Sequence, residues 1–407
     1  MPRFALCTLG LCALSAAGGA AAQSSATLFG VVDAAMSRYS VRSQSWDGGP
    51  ARAVRQSRWE MSPSGNFASR FGIRATEDLG DGLSAGFWLE APVTNDTGAN
   101  PLSFGRRSTL SLSGALGELR LGRDHTPSFL NDWAFDPFTS NGVGVNLIAV
   151  VSSNLAISRA LETRKTGPLS QRLLGGGLSA GTDNYLRSSN SVGYFLPTGL
   201  GGVYGQAMFA FPEDPQSQRG RYAGARLGWA GGPADLALGY GESTLGNSGA
   251  SDEKIRSLNF GASYNFGPAK LLGEWSLVRN ARRDGTTLAP IDDRYRGLLV
   301  GATVPVGAGL WRAAYSRVRF TSGQGAGDAS ADKLALGYVH HLSRRTALYA
   351  TVARIGIVNG RNNTAVMAVT PLVVSNPSIL PQPYYQVTDG MQARSATGVD
   401  VGLRTVF

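Results

Sequence analysis

The feature that most constrains this chain is an alternation of period two whose second face is polar. From Ile255 to Phe266 one parity reads Leu258, Phe260, Ala262, Tyr264 and Phe266, while the other reads Ser257, Asn259, Gly261, Ser263 and Asn265. Successive side chains of a strand point to opposite faces, so the segment describes a sheet with one greasy and one wet surface. Leu271, Trp275 and Leu277 oppose Lys270, Glu274 and Ser276 in the same way, and Leu83, Ala85, Phe87 and Leu89 oppose Ser84, Gly86, Trp88 and Glu90. At the C-terminus Val399, Val401, Leu403 and Phe407 oppose Asp400, Gly402 and Arg404.

A single strand of this kind would also suit a half-buried sheet in water; the connections discriminate. Short glycine turns at 79–82, 114–117, 198–202, 230–233, 267–268, 306–309 and 342–345 alternate with long polar connections. The long ones fall at about 212–220, 241–254, 279–294, 321–331 and 358–396, together with the stretch from Asp124 to Arg187. This rhythm predicts an all-β fold: a transmembrane antiparallel β-barrel of about 16 strands, with short periplasmic turns and long external loops. Strands of about ten residues cross the hydrocarbon when tilted, and closure leaves no unpaired edge in lipid.

Composition removes the competitors. With 54 glycines, 16% charged residues, 43% hydrophobic residues and a mean hydropathy of -0.07, the chain is neither disordered nor a helical bundle. No run approaches the ~18 apolar residues of a membrane helix. Lysine occurs only at Lys165, Lys254, Lys270 and Lys333, which leaves 34 arginines among the 38 cations. They are scattered singly along the chain and make no basic patch, so no nucleic-acid partner is expected. An arginine on the lipid face near the midplane costs ~2–4 kcal/mol, so most should occupy the polar parity or the loops, and the interior is expected to be wet and cationic.

Met1 to Arg3 is a short basic start, Phe4 to Ala17 is apolar, and the small residues 18–22 end in an Ala-x-Ala pattern before Gln23. Residues 1–22 read as a cleaved signal peptide, leaving 23–407 as a single barrel domain in which 125–187 includes the constriction loop. Both cysteines, Cys7 and Cys12, lie inside that signal, so no disulfide, thiol catalyst or thiolate metal site is expected. Loss of Arg3 with the signal takes the formal charge from +10 to +9.

These segments resemble the general-diffusion porins of Gram-negative outer membranes, especially the Bordetella, Burkholderia and Comamonas type. The resemblance rests on Thr27-Leu28-Phe29-Gly30-Val31-Val32-Asp33, on Ser69-Arg70-Phe71-Gly72-Ile73-Arg74 running into Thr76-Glu77-Asp78-Leu79-Gly80, and on Phe104-Gly105-Arg106-Arg107. It continues through Leu121-Gly122-Arg123, Asp136-Pro137-Phe138, residues 189–194, 261–268 and 342–346, and a terminal Phe407. It implies a homotrimer with one water-filled pore per subunit for passive diffusion of small hydrophilic solutes and ions, surrounded by outer-membrane lipids and lipopolysaccharide. It also implies a terminal phenylalanine, here Phe407, read by the barrel-assembly machinery.

In that family the third external loop folds into the barrel and narrows the pore opposite a ladder of basic residues. By position the ladder would be Arg70, Arg74, Arg123 and Arg187, and the opposing loop acids Asp132 and Asp136. Arg70 and Arg74 share a parity, with Phe71 and Ile73 left for lipid; Arg123 shares parity with Leu119 and Leu121 and needs a bulge or a subunit-facing wall to point inward. Such an arrangement implies weak anion selectivity. A substrate-specific channel for small organic anions or saccharides is the alternative, with Trp88 on the inward parity as its one aromatic cue.

An enzyme is not expected. Gly-x-Ser-x-Gly occurs at 82–86 and 177–181, but Ser84 starts a strand after a tight turn and Ser179 lies in a glycine-rich stretch, so neither forms a nucleophile elbow. His125, His340 and His341 are the only histidines and give no metal signature, and no cofactor is implied.

Overall fold

The computed structural model describes residues 25–407 apart from 46–51, 99–101, 154, 156–184, 213–217, 219, 248–251, 284–286, 288, 326 and 361–390. The expected signal peptide, residues 1–22, lies outside the described residues, as does nearly all of the helical stretch that the sequence suggests from Asn154 to Lys165. Strand β1 (Ser25–Ser45) pairs on one side with β17 (Met391–Val406) and on the other with two successive segments, β2 (Ala53–Pro63) and β3 (Arg70–Gly80). Segments β2 and β3 are halves of one interrupted stave, so the 17 strands close a 16-stave antiparallel cylinder.

The remaining staves follow in chain order: β4 (Leu83–Pro92), β5 (Arg107–Gly114), β6 (Gly117–His125), β7 (Arg187–Phe195), β8 (Val203–Ala210), β9 (Tyr222–Gly231) and β10 (Ala234–Asn247). Then come β11 (Asp252–Asn265), β12 (Lys270–Arg283), β13 (Pro290–Val306), β14 (Gly309–Thr321), β15 (Ala329–His341) and β16 (Thr346–Val358). Each pairs with its chain neighbours, and the tight glycine turns fall at one end. Two connections are shorter than the sequence suggested. The ladders of β10–β11 and β12–β13 run on through polar residues to Asn247↔Asp252 and Arg283↔Pro290, because backbone pairing outlasts the apolar alternation.

Burial runs opposite to that of a soluble sheet. On β11 the polar Asn259 and Ser263 are buried while Phe260 and Tyr264 are exposed, and on β12 Glu274 and Ser276 are buried while Leu271 and Trp275 are exposed. The barrel therefore presents its greasy parity outward, where only acyl chains make that favourable.

At the seam Gly30 and Phe407 exchange backbone hydrogen bonds, and a Cβ on Gly30 would run into the Phe407 ring and sit 2.8 Å from the Arg70 carbonyl. The break between β2 and β3 is organised by Asp33, whose carboxylate accepts from the backbone N–H groups of Asn66 (3.0 Å) and Phe67 (2.7 Å) and from the Tyr349 hydroxyl.

The interior is two-sided, which corrects the expectation of a wholly wet lumen. Residues 138–155 of the β6–β7 connection lie against the inner faces of β12–β17, where Phe138, Val143, Val145, Leu147 and Val151 pack with Val278, Leu299, Val318, Phe320, Ile355 and Ile357. Each such side chain buried gains about 1.5–3 kcal/mol, enough to hold a long connection inside the cylinder. The wet side is left to the β3–β9 wall.

Candidate pore constriction

The β6–β7 connection enters the barrel through a short helix, α1 (Pro127–Ala134). Thr126 caps it, with its Oγ1 accepting from the Phe129 N–H at 3.4 Å, and Pro127 at the first helical position suits the start of a helix. The helix packs on β9, β10 and β11. Asn131 on its buried face donates to the Ala237 carbonyl (3.3 Å) and to Asn259 Oδ1 (3.1 Å), and accepts from Arg226 Nε at 3.0 Å. Trp133, on the opposite face, is 39% exposed.

The chain then crosses the barrel. Gly142 packs on the Gly65 carbonyl at the β2–β3 break with no room for a Cβ, and the Val143 N–H donates to Asp400 Oδ2 on β17 at 2.8 Å. Lys333 on β15 donates to the Val145 carbonyl at 2.5 Å, and Ser316 Oγ on β14 accepts from the Leu147 N–H at 3.0 Å. The loop is thus tied to both sides of the cylinder.

Across from α1 lies a basic wall. Arg70 and Arg74 share the inner parity of β3, as the spacing suggested: their β1 partners Val31 and Thr27 lie on the same face as the buried Asp33. Glu90 on β4 is held by Arg106 Nε at 2.6 Å and faces Arg70 Nε at 3.8 Å. Trp88, beside it on the inward parity, donates from Nε1 to Glu90 Oε2 at 3.2 Å. Its ring carries the Arg107 guanidinium at 4.4 Å and that of Arg74 at 5.0 Å. Asp124 at the end of β6 faces Arg120 NH1 at 2.5 Å and Arg107 Nε at 3.7 Å, and Arg120 also bonds Glu118. The carboxylates Glu90, Glu118 and Asp124 hold the guanidinium groups in place and are fewer than the arginines they hold, so the wall stays cationic.

Four of the anticipated ladder and loop residues take other places. Arg123 keeps the parity of Leu119 and Leu121, in unbroken register with Ser108 of β5; the β6–β7 register shift between Gly122 and Asp124 places its extra residue on β7. Its guanidinium caps the Gly105 carbonyl (2.7 Å) and the Ser189 hydroxyl (2.8 Å) instead of joining Arg70 and Arg74. Arg187, opening β7, is 6% exposed and lies beneath the wall's surface.

Asp132 and Asp136, both 2% exposed, turn away from the arginines and into the packing behind the loop. Asp132 accepts from Tyr185 (2.9 Å) and Asn259 and lies beside the buried Glu274 of β12. Asp136 folds its own turn, accepting from the N–H groups of Phe138 (2.8 Å) and Ser140 (3.0 Å) and from Asn146 Nδ2 (2.9 Å). Burial pushes both loop carboxyls above the usual range. They cannot supply a field of exposed negative charge across the pore.

The sequence reading overlooked Arg107, Arg120 and the positioning acids Glu90 and Asp124. Arg120 and Glu118 share the polar parity of β6, so alternation alone marks them as inward. Asp124 shares that parity too; what alternation could not show is its burial against Arg107 and Arg120.

A cylinder that is greasy outside, narrowed by an infolded loop docked on one inner side and lined by a basic wall on the other defines the class of water-filled outer-membrane channels. Residues 8–359 match the family model described as Gram-negative porin. Over 405 residues, 98% of this chain and 99% of the relative, it is 34% identical to outer membrane porin protein 32 of Delftia acidovorans. It is 27% identical over 380 residues, 82% of this chain and 89% of the relative, to an outer membrane porin protein of Bordetella pertussis. Among solved structures it resembles the anion-selective porin from Comamonas acidovorans, with a TM-score of 0.69 at 30% identity over 95% of this chain and all of that one. The chain belongs to the Gram-negative porin family: it is a channel of the outer membrane and not an enzyme.

Proposed function

We propose that this porin passes small hydrophilic solutes by diffusion with a preference for anions, set by Arg70, Arg74, Arg107 and Arg120 on one wall of the constriction. The observation that carries the reading is the asymmetry of the narrow zone. Guanidinium groups outnumber their positioning acids on the wall, while the loop acids Asp132 and Asp136 are withdrawn from the lumen. In a narrow zone with low-dielectric walls, uncompensated cations raise the local anion concentration. The solved Comamonas porin described as anion-selective supports the same sign.

The deciding experiment is single-channel recording in planar bilayers with a salt gradient. Replacing Arg70 and Arg74 together by alanine is expected to move the reversal potential toward cations with the barrel intact; an unmoved potential would overturn the assignment. A second reading, a track for small organic anions, is favoured by Trp88, flanked by two guanidinium groups, with Trp133 exposed on the loop. Aromatic carboxylates would then block chloride current more strongly than aliphatic ones of equal charge.

The assembly is proposed to be a homotrimer; a solved Vibrio cholerae OmpT of the same fold is described as a trimer form. Phe407 is proposed as the sorting signal read by the barrel-assembly machinery, and lipopolysaccharide as the surrounding lipid. Light scattering of detergent-extracted protein tests the first, and outer-membrane yield after Phe407 deletion the second.

A further inference from the structure

On the outer surface, near the long-loop ends of β11–β14, arginines stand opposite arginines. Arg256 on β11 pairs in register with Arg279 on β12, Arg279 with Arg294 on β13, and Arg296 with Arg319 on β14. All five are exposed and share the outward parity of Phe260, Trp275, Leu298 and Tyr315, which are 45%, 42%, 46% and 39% exposed. Like charges directly opposite on neighbouring strands destabilise a sheet, and the low-dielectric edge of a membrane strengthens the repulsion.

The chain's own carboxylates answer only part of this charge. Glu242 binds Arg256 at 2.6 Å and Lys254 at 2.7 Å, while Asp292 binds Arg294 at 3.1 Å. Arg279, Arg296 and Arg319 meet no carboxylate among the described residues. Something outside the chain has to bring the anions.

Position says what. The belt lies on the external half of the cylinder, and directly toward the midplane begins the apolar band of Phe260, Trp275, Leu298 and Val300. A molecule suited to both zones has acyl chains for the band and multiply charged anionic groups at the level of the arginines. Guanidinium forks match phosphate oxygens two at a time. A second copy of this chain docked about a two-fold axis on the belt would set arginine against arginine.

We propose that the Arg279–Arg296–Arg319 belt is a binding site for the phosphorylated headgroup of lipopolysaccharide in the outer leaflet. This rests on the reading of the chain as an outer-membrane porin and deepens its lipid partnership into a defined site.

The test uses full-length protein extracted in detergent and a triple variant, Arg279→Gln, Arg296→Gln and Arg319→Gln. Lipopolysaccharide retained through purification is measured as bound phosphate, and the same lipid added back to delipidated protein is read as a shift in the temperature of heat-modified gel migration. The variant is expected to retain several-fold less lipid and to lose most of that shift, while its conductance and reversal potential match those of the parent. That pairing separates failure of the site from failure of the porin reading, and unchanged heat-modifiable migration certifies the fold. Triple replacement by lysine should recover part of the binding. Equal retention by variant and parent, an equal shift with dephosphorylated lipopolysaccharide, or the same shift from inorganic phosphate alone would overturn the proposal.

Discussion

Asp132 on α1 and Glu274 on β12 meet carboxyl to carboxyl in the dry seam between the infolded loop and the barrel wall. Neither Glu274 oxygen has a hydrogen-bond donor among the described residues, so two negative charges side by side there are costly and the pair favours having a carboxyl protonated. Tyr185, Asn259 and Asp136 complete the surroundings, and Arg226 is near enough to act on Asp132 through its charge. Burial raises the Asp132 carboxyl above its ordinary range, opposed by hydrogen bonds from Tyr185 and Asn259.

The sign of the pH dependence follows. A carboxyl whose folded value is raised favours the docked loop in its protonated form. The contribution is complete below the ordinary aspartate range near ~3.9 and fades as pH rises through the raised value. Loop docking is therefore expected to be tightest in acid and to loosen toward neutral pH, read as open-channel current noise that grows with pH. Glu274→Gln sets a neutral amide beside Asp132 in place of a second titratable carboxyl and should flatten the profile. Identical profiles for parent and variant would remove the pair as its source.

Glu90 carries a different burden. It is buried between Arg70 and Arg106, so Glu90→Gln leaves two guanidinium groups without their carboxylate. Breaking one partner out of such a buried set costs about 3–5 kcal/mol. The variant is expected to lose its heat-resistant migration at a lower temperature than the parent while its reversal potential moves further toward anions. A potential that moves toward cations would show that Glu90 orients the arginines more than it neutralises them.

How much of this was legible in the sequence depends on which residues are asked. The alternation Leu258–Phe266 gave sidedness directly, because a strand in lipid must turn one parity outward, and the same rule on β3 puts Arg70 and Arg74 on the inner parity, where they lie. The place of Asp132 and Asp136 was carried over from the family resemblance, and both are buried instead of facing the arginines. A loop acid in a one-dimensional pattern reads as solvated, and only the packing of α1 on β9–β11 turns Asp132 toward Glu274. The apolar inner face of β12–β17 was hidden for a related reason. Val278, Val318 and Ile355 sit on the inward parity, where polar residues were expected, and their cover, residues 138–155, is distant in sequence. The β2–β3 break has its cause in Asp33 on another strand, which no local pattern displays.

The far end of the loop offers a cleaner test of anchoring. Asp400 accepts from the Val143 N–H at 2.8 Å and from the Ser37 hydroxyl at 2.7 Å. Asp400→Ala leaves that buried N–H without its partner, a penalty of about 1–3 kcal/mol. Because the loop also holds to Ser316 and Lys333, the barrel should still form, with added current noise and faster protease cleavage within the loop. Unchanged cleavage would show that the apolar seam alone fixes the loop.

The closing seam gives the last prediction. Gly30 sits under the Phe407 ring, and any β-carbon there meets both that ring and the Arg70 carbonyl. The ring can rotate away; the carbonyl, fixed in the β1–β3 ladder, cannot. Gly30→Val is therefore expected to reduce the yield of heat-modifiable barrel in refolding from urea into detergent, where no assembly machinery acts. Combining it with Phe407→Ala should recover only part of the loss, since the carbonyl contact remains. Phe407→Ala alone should refold nearly as well as the parent in detergent, yet reach the outer membrane in lower amount in cells if the residue is a sorting signal. Equal loss in both settings would assign Phe407 to seam packing, with the ring over Gly30 as its whole purpose.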